Sequence, residues 1–290
     1  MSRLISAGFS RLFKSKCFII FIIFSAVYSF SNVISHYMDV TKMSNYTGGY
    51  DSLPASYYNI DSIAFDCAMT MTFAAALFVG FFIGREYSDG TLRNKLVVGH
   101  SRDGIYLSNF VICAAAYIMG LFVAFIVTLG LGIPLLGTSF SVWEILIFCF
   151  TVIIASIALD AIYLLIAMLI NSKSVQTAVL ILGCFIMMLV SIYINESLDA
   201  PEYYSDYVVT STIDGKTVVE EGNQIKNPFY LTGNKRKVYE FFDEFLPVSQ
   251  LYLTANGVPR DLTKCAIYDI IILIAVTEAG VLLFCKKDIK

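Results

Sequence analysis

Four acidic side chains stand inside or beside long apolar runs of this 290-residue chain: Asp66, Asp160, Asp269 and Glu278. A charge at the bilayer centre costs at least ~2.5–3.5 kcal/mol on insertion scales, so each needs a partner or a task. Asp160 shares a helical stripe with Ser156, one turn before it, and Tyr163, one turn after it. That stripe either faces a translocation path or holds a protonated or hydrogen-bonded carboxyl that ties helices together. Glu278 admits the same two readings. Asp269 precedes Glu278 by nine residues, which at about 100° per residue places the two on opposite faces of one helix. A proton relay through both is therefore disfavoured. Asp66 lies near the end of its run and reads as solvated.

The groups that enzymes use are otherwise sparse. No GxxxxGK[ST] is present to cradle a nucleotide phosphate, and HExxH, GxSxG and GxGxxG are absent too. The two histidines, His36 and His100, are far apart, and neither has an obvious carboxylate to orient it. Seven cysteines (17, 67, 113, 149, 184, 265 and 285) form no CxxC pair, and each sits in or at the edge of an apolar run. They read as small packing residues, with no metal site among them. A net charge of −3 with no basic stripe argues against nucleic-acid binding.

The elements that carry these residues follow from composition. The chain is 57% hydrophobic and 15% charged, against roughly 25% charged in soluble domains. The apolar residues gather into six runs, about 17–35, 63–84, 105–129, 143–170, 175–194 and 265–285. Each is near the roughly 20 residues that cross a hydrocarbon core as a helix. The third is expected to end at Gly130, Gly132 and Pro134, and Asn171 to Ser174 makes a tight polar turn between the fourth and fifth. Residues 1–16 place Leu4, Ile5, Gly8, Phe9, Leu12 and Phe13 at helical spacing, with Arg3, Arg11, Lys14 and Lys16 between them. This is an interfacial helix leading into the first span, rather than a cleaved signal. Gly80 and Gly84 form a GxxxG, whose ordinary use is close helix packing.

Basic residues set the expected orientation. With the N-terminus in the cytoplasm, 12 of the 20 Lys and Arg lie in short cytoplasmic segments against span ends. Both termini are then cytoplasmic, and residues 195–264 form the one large outer segment. Within it, Tyr207 to Ile213, Asp214-Gly215 and Lys216 to Val219 read as a β-hairpin with a two-residue type I′ turn. Val238, Phe242 and Phe245 line a short helix that Pro247 breaks. That piece either lies on the outer membrane face or dips into it.

Between the second and third spans runs Arg85-Glu86-Tyr87-Ser88-Asp89-Gly90-Thr91-Leu92-Arg93-Asn94-Lys95-Leu96-Val97-Val98-Gly99-His100-Ser101-Arg102. Thr91 is placed to cap a helix carrying Leu92, Leu96 and Val97. So short a helix is not stable alone and needs a surface to dock on, unless the segment is a solvated loop that only sets topology. Glu86-x-x-x-Gly90-Thr91-Leu92-Arg93, followed by Ser101-Arg102 and an apolar span, resembles the intracellular loop of ABC-2 type transporter permeases. The interfacial leading helix, six spans, cytoplasmic termini and outer segment resemble the family's layout, as Phe245-Leu246-Pro247 resembles its short outer helices. Gly99-His100 stands where many members have a proline, Asn109 where many have a lysine, and the outer segment is longer than in minimal members. These departures leave the subfamily and the cargo unassigned.

The resemblance implies a fold class and a role. The whole of 1–290 is one all-α polytopic permease domain, with a coupling helix in the 85–104 loop and the outer hairpin. It is the permease of an ATP-binding cassette exporter in a bacterial plasma membrane, pairing with a second permease chain, identical or related. ATP and Mg belong on a separate ATPase subunit, so no cofactor and no catalytic residue is expected here. Leu92, Arg93, Leu96 and Arg102 are expected to contact that ATPase, with Gly90 and Thr91 shaping the loop and Glu86 fixing its geometry or pairing with a base. Asp160 and Glu278 are candidate path or gating residues. Family members export peptides, antibiotics, lipids, glycans or ions, and an antimicrobial or other amphipathic peptide is the expected cargo. The other classes are a stand-alone secondary transporter, which needs coupling carboxylates brought together, and an intramembrane hydrolase, which needs a nucleophile and base on facing spans.

Overall fold

A computed structural model describes residues 1–45, 58–206, 208–213, 216–256 and 261–288. The chain begins with α1 (Ser2–Lys14), which buries Leu4, Gly8 and Leu12 at a four-residue spacing. Ser15 is extended and breaks the helix, and α2 (Lys16–Asn45) starts at once. No glycine or proline occurs between 16 and 45, so α2 runs ten residues past its expected end at Ser35.

A 3-10 turn (Ile60–Ser62) leads to α3 (Asp66–Ser88), then α4 (Thr91–Val97), α5 (Arg102–Leu136), α6 (Val142–Leu169) and α7 (Lys173–Asp199). Among the described residues six helices are long and apolar enough to cross a membrane, and the chain is an all-α polytopic membrane protein. Counting crossings puts α1, α4, the 170–172 link and the C-terminal end on one face, here the terminal face.

Three sequence expectations change. Helix α5 does not stop at Gly130, Gly132 or Pro134 but continues to Leu136. Pro134 forfeits one ladder bond in the last turn, which is cheaper than unravelling backbone in an apolar setting. Gly132 is needed for packing: a Cβ there would run into the Ile60 side chain. The polar turn after α6 is shorter than expected, since Lys173 and Ser174 already belong to α7. Asp66 is not solvated, because it accepts hydrogen bonds from Tyr28 Oη (3.1 Å) and Asn32 Nδ2 (3.0 Å) and so clamps α2 to α3.

Most of the apolar stretch of α3 is buried, whereas α2, α7 and the last helix face largely outward. Gly80 and Gly84 let α3 meet α7 closely: a Cβ on Gly80 would lie 2.9 Å from Thr177 Oγ1, and one on Gly84 would lie 3.1 Å from Lys173 Cα. Backbone cannot move aside as a side chain can. Gly84→Val is therefore expected to lower the unfolding midpoint in detergent by an amount matching roughly 1–3 kcal/mol, while a similar midpoint would show that α7 simply slides.

On the opposite face, β1 (Tyr203–Ser205) pairs with β4 (Gln224–Lys226), and β2 (Val208–Ile213) pairs with β3 (Lys216–Glu221), all antiparallel. The ribbon contains the expected hairpin, while Tyr207 and the Asp214-Gly215 turn lie outside the described residues. Helix α8 (Gly233–Phe245) follows, and Pro247, rather than merely ending it, opens a second helix, α9 (Pro247–Ala255). Val238, Phe241 and Phe242 of α8 are all exposed, and Phe241 stacks on Phe245, with both rings meeting Tyr268 edge-on. Helix α9 is buried along nearly its whole length and packs on α3, α6 and α7. Pro247 and Val248 share a cavity with Ile271 and Ile272 of α10 (Leu262–Lys286), about 15 Å along that helix from its start. The bend between α8 and α9 therefore lies level with the middle of α10. It is tied internally by Ser249 Oγ donating to Asp243 (2.6 Å) and Gln250 Nε2 donating to the Glu244 carbonyl (2.9 Å).

Candidate functional site

At the terminal end of α3 the chain must reverse from a membrane helix into α4. Gly90 makes the corner with φ +66°, in the left-handed region that favours glycine. Gly90, and not Thr91, is therefore the N-cap, and the Thr91 hydroxyl instead donates back to the Glu86 carbonyl (3.1 Å). The other end closes in a Schellman arrangement: Gly99 N donates to the Leu96 carbonyl (3.0 Å) and His100 N to the Lys95 carbonyl (3.1 Å), with Gly99 at φ +92°. Both ends of this seven-residue helix are thus fixed by glycines.

Beneath α4 sits Glu86, whose side chain is 1% exposed. Its Oε1 accepts from Arg11 of α1 and from Lys95 Nζ of α4 (2.5 Å), and its Oε2 accepts from Asn109 Nδ2 of α5 (2.8 Å). Arg11 also lies over the Phe82 ring at 4.2 Å. One carboxylate thus joins α1, α3, α4 and α5. Burial first, and then the Arg11 charge beside it, pull the Lys95 ammonium down to about 7. Burial likewise brings Arg11 down to about 10, so its guanidinium stays charged at neutral pH.

A second set of bonds extends the plate to α6 and α10. Lys287 Nζ donates to the Met168 carbonyl at the end of α6 (2.8 Å) and to Tyr87 Oη (2.8 Å), and the Tyr87 hydroxyl donates to the same carbonyl (2.5 Å). Burial lowers Lys287 to about 8. Arg102 donates to the carbonyls of Phe284 and Cys285 (each 3.3 Å) and of Lys287, capping the negative end of α10.

Short polar bonds link the small exposed helix α4 to α1, α3 and α5, and a second set links α3 and α5 to the ends of α6 and α10. A family model described as ABC-2 family transporter protein matches residues 4–191. The chain belongs to the ABC-2 transporter family. No curated protein matches it. The matched stretch holds the whole Glu86 hub, and ABC-2 permeases are the membrane component of transporters that associate with an ABC ATPase.

Within this ABC-2 permease the residues singled out from sequence divide into three groups. Glu86, Gly90 and Thr91 form the hub and its corner. Leu92 is buried against its own chain and Leu96 packs partly beneath α4, while Arg102 is engaged at the end of α10. The outward side of α4 is instead Arg93, Asn94, Val97 and Val98, with the two valines 79% and 76% exposed. Asp160 and Glu278 belong to neither set. Asp160 is fully enclosed, in the electrostatic reach of Tyr106, Cys113 and Tyr117 of α5 and Tyr163 of α6. Glu278 is exposed on α10, whereas Asp269 is buried, so the two indeed occupy different faces.

Sequence reasoning did not assign Arg11, Lys95 or Asn109 to the site. Asn109 follows Arg102 by seven residues on one face of α5. With Arg11 and Lys95 already on Oε1, a neutral amide satisfies Oε2 without a third buried cation.

Proposed function

We propose that this permease is the membrane-spanning subunit of an ATP-driven exporter, and that its ATPase docks on the outward side of α4. The observation that carries the reading is the two-sidedness of that helix: Val97 and Val98 are bare on the outside, while Lys95 and Thr91 lock the inside to the Glu86 hub. Both termini and α4 lie in the cytoplasm, in keeping with the 12 of 20 Lys and Arg on that face. Two permease chains and two ATPases make the working assembly. ATP and Mg bind the partner, and its motion enters at α4 and reaches α1, α3 and α5 together through Glu86. The cargo is an amphipathic molecule such as an antimicrobial peptide, a class suited to spans rich in Phe, Tyr and Met, of which the chain has 23, 18 and 9.

Expressing the chain together with its native neighbouring genes, and looking for an ATPase subunit that binds it, tests this. The two should co-purify and show vanadate-sensitive ATP hydrolysis, and Arg93→Glu should reduce it severalfold. Transport by the chain with no ATPase present would overturn the reading.

A further inference from the structure

The break between α1 and α2 leaves a recess of about 240 Å³ on the terminal face, lined by Arg11, Lys14, Ser15, Phe82, Arg85 and Glu86 among others. Next to it, α2 and α3 enclose a groove of about 450 Å³ lined by Cys17, Ile20, Phe24, Phe73, Leu77 and Phe81 among others. The two are neighbours along α2 and α3. Ser15 and Cys17 border them from one side, Phe82 and Phe81 from the other, and the ring of Phe78 in the groove stacks on that of Phe82 in the recess at 5.3 Å. From Thr70 to Phe81 the groove follows α3 for about 16 Å. One leaflet of a roughly 30 Å hydrocarbon core is about 15 Å deep.

Charge sits only at the mouth. Lys14 lines the recess, and Lys173 Nζ lies 5.3 Å from the Phe81 ring at the rim of the groove. Neither has an acidic partner among the described residues. Arg85 pairs only with exposed Asp89 (3.2 Å), a contact that water screens and a better anion would replace. Glu86 presents little charge to the recess, being taken up by Arg11, Lys95 and Asn109. Lys173 also opens α7, whose N-cap Ser172 makes no side-chain capping bond, so free backbone N–H groups add to the positive potential.

We propose that this recess and groove bind one anionic phospholipid, its phosphate among Lys14, Arg85 and Lys173 and an acyl chain along the α2–α3 groove. Cations at headgroup depth above a wholly apolar slot one leaflet long match such a lipid. A second copy of this chain would fill the slot but bring no phosphate to the lysines. The bound lipid would staple the α1 hinge to α3 and α7, independently of whether an ATPase docks on α4.

Native mass spectrometry of the purified full chain tests this, with phosphatidylglycerol and phosphatidylcholine of identical acyl chains as probes. Phosphatidylglycerol should be retained preferentially as a single adduct. Lys14→Gln and Lys173→Gln should each weaken that preference about fivefold, the share of one cation near an anionic headgroup. Both lie at the surface, and an unchanged unfolding midpoint confirms that they fold. Ala74→Trp, which fills the groove, should reduce retention of both lipids. Equal retention of the two lipids, or variants that retain phosphatidylglycerol like the parent chain, would overturn the proposal. So would displacement by soluble glycerol phosphate at matched concentration, which would mark a free-phosphate site, or a dimer that forms with loss of the lipid.

Discussion

Glu86→Gln is expected to destabilise the protein by about 3 kcal/mol, the lower end of what removing one partner from a buried ion pair does. The argument is one of stranded charge. Arg11 Nη1 and Lys95 Nζ both converge on Oε1 of Glu86, which is 1% exposed. The two cations keep only 32% and 22% of their side-chain surface, so water makes up for part of the lost carboxylate and not all of it. Glutamine keeps the shape and one acceptor, which spares the Thr91 backbone contact and part of the Asn109 bond. The stability of detergent-solubilised protein against denaturant would measure the loss. Adding Lys95→Met to Glu86→Gln should return part of it, since the double variant no longer buries an unmatched ammonium. A change below about 0.5 kcal/mol, the range of ordinary surface substitutions, would mean that the hub is open to solvent.

Val97→Asp with Val98→Asp should do the reverse, leaving stability within about 0.5 kcal/mol and breaking the complex with the ATPase. The two side chains are 79% and 76% exposed, so the isolated permease loses almost nothing. Burying a valine contributes about 1.5–3 kcal/mol, and two of them together correspond to at least about a hundredfold in Kd. Titrating immobilised permease with the ATPase would read this directly. Unchanged affinity would move the contact to α1 or to the 170–172 link.

The features readable from sequence were those that depend on local pattern. Six spans, the leading helix, the hairpin strands and the tight use of Gly80 and Gly84 all follow from periodicity, charge distribution or spacing. The errors came where distant residues decide. Gly132 looked like a terminator, but it makes room for Ile60, seventy-two residues earlier. Asp66 looked solvated because it lies near the end of its apolar run, while Tyr28 and Asn32 on α2 pair with it. Leu92 and Val97 are both apolar and both on α4, so sequence put them on one docking face. Only the position of α3 beneath the helix separates them into a buried residue and a bare one. Arg102 drew attention through its motif, and its partners turned out to be carbonyls of the last helix.

The placement of α9 bears on how the protein is made. Residues 247–255 come late in synthesis, yet they occupy the space among α3, α6 and α7, which precede them. At nine residues, about 14 Å of helix, this segment is too short to be inserted as a span of its own. It takes its place among helices that precede it in the chain. Until then Ser249, Gln250 and Thr254, all buried in the finished protein, have no enclosed position to occupy. The space that five spans leave among α3, α6 and α7 is thus filled only by the segment that directly precedes the sixth.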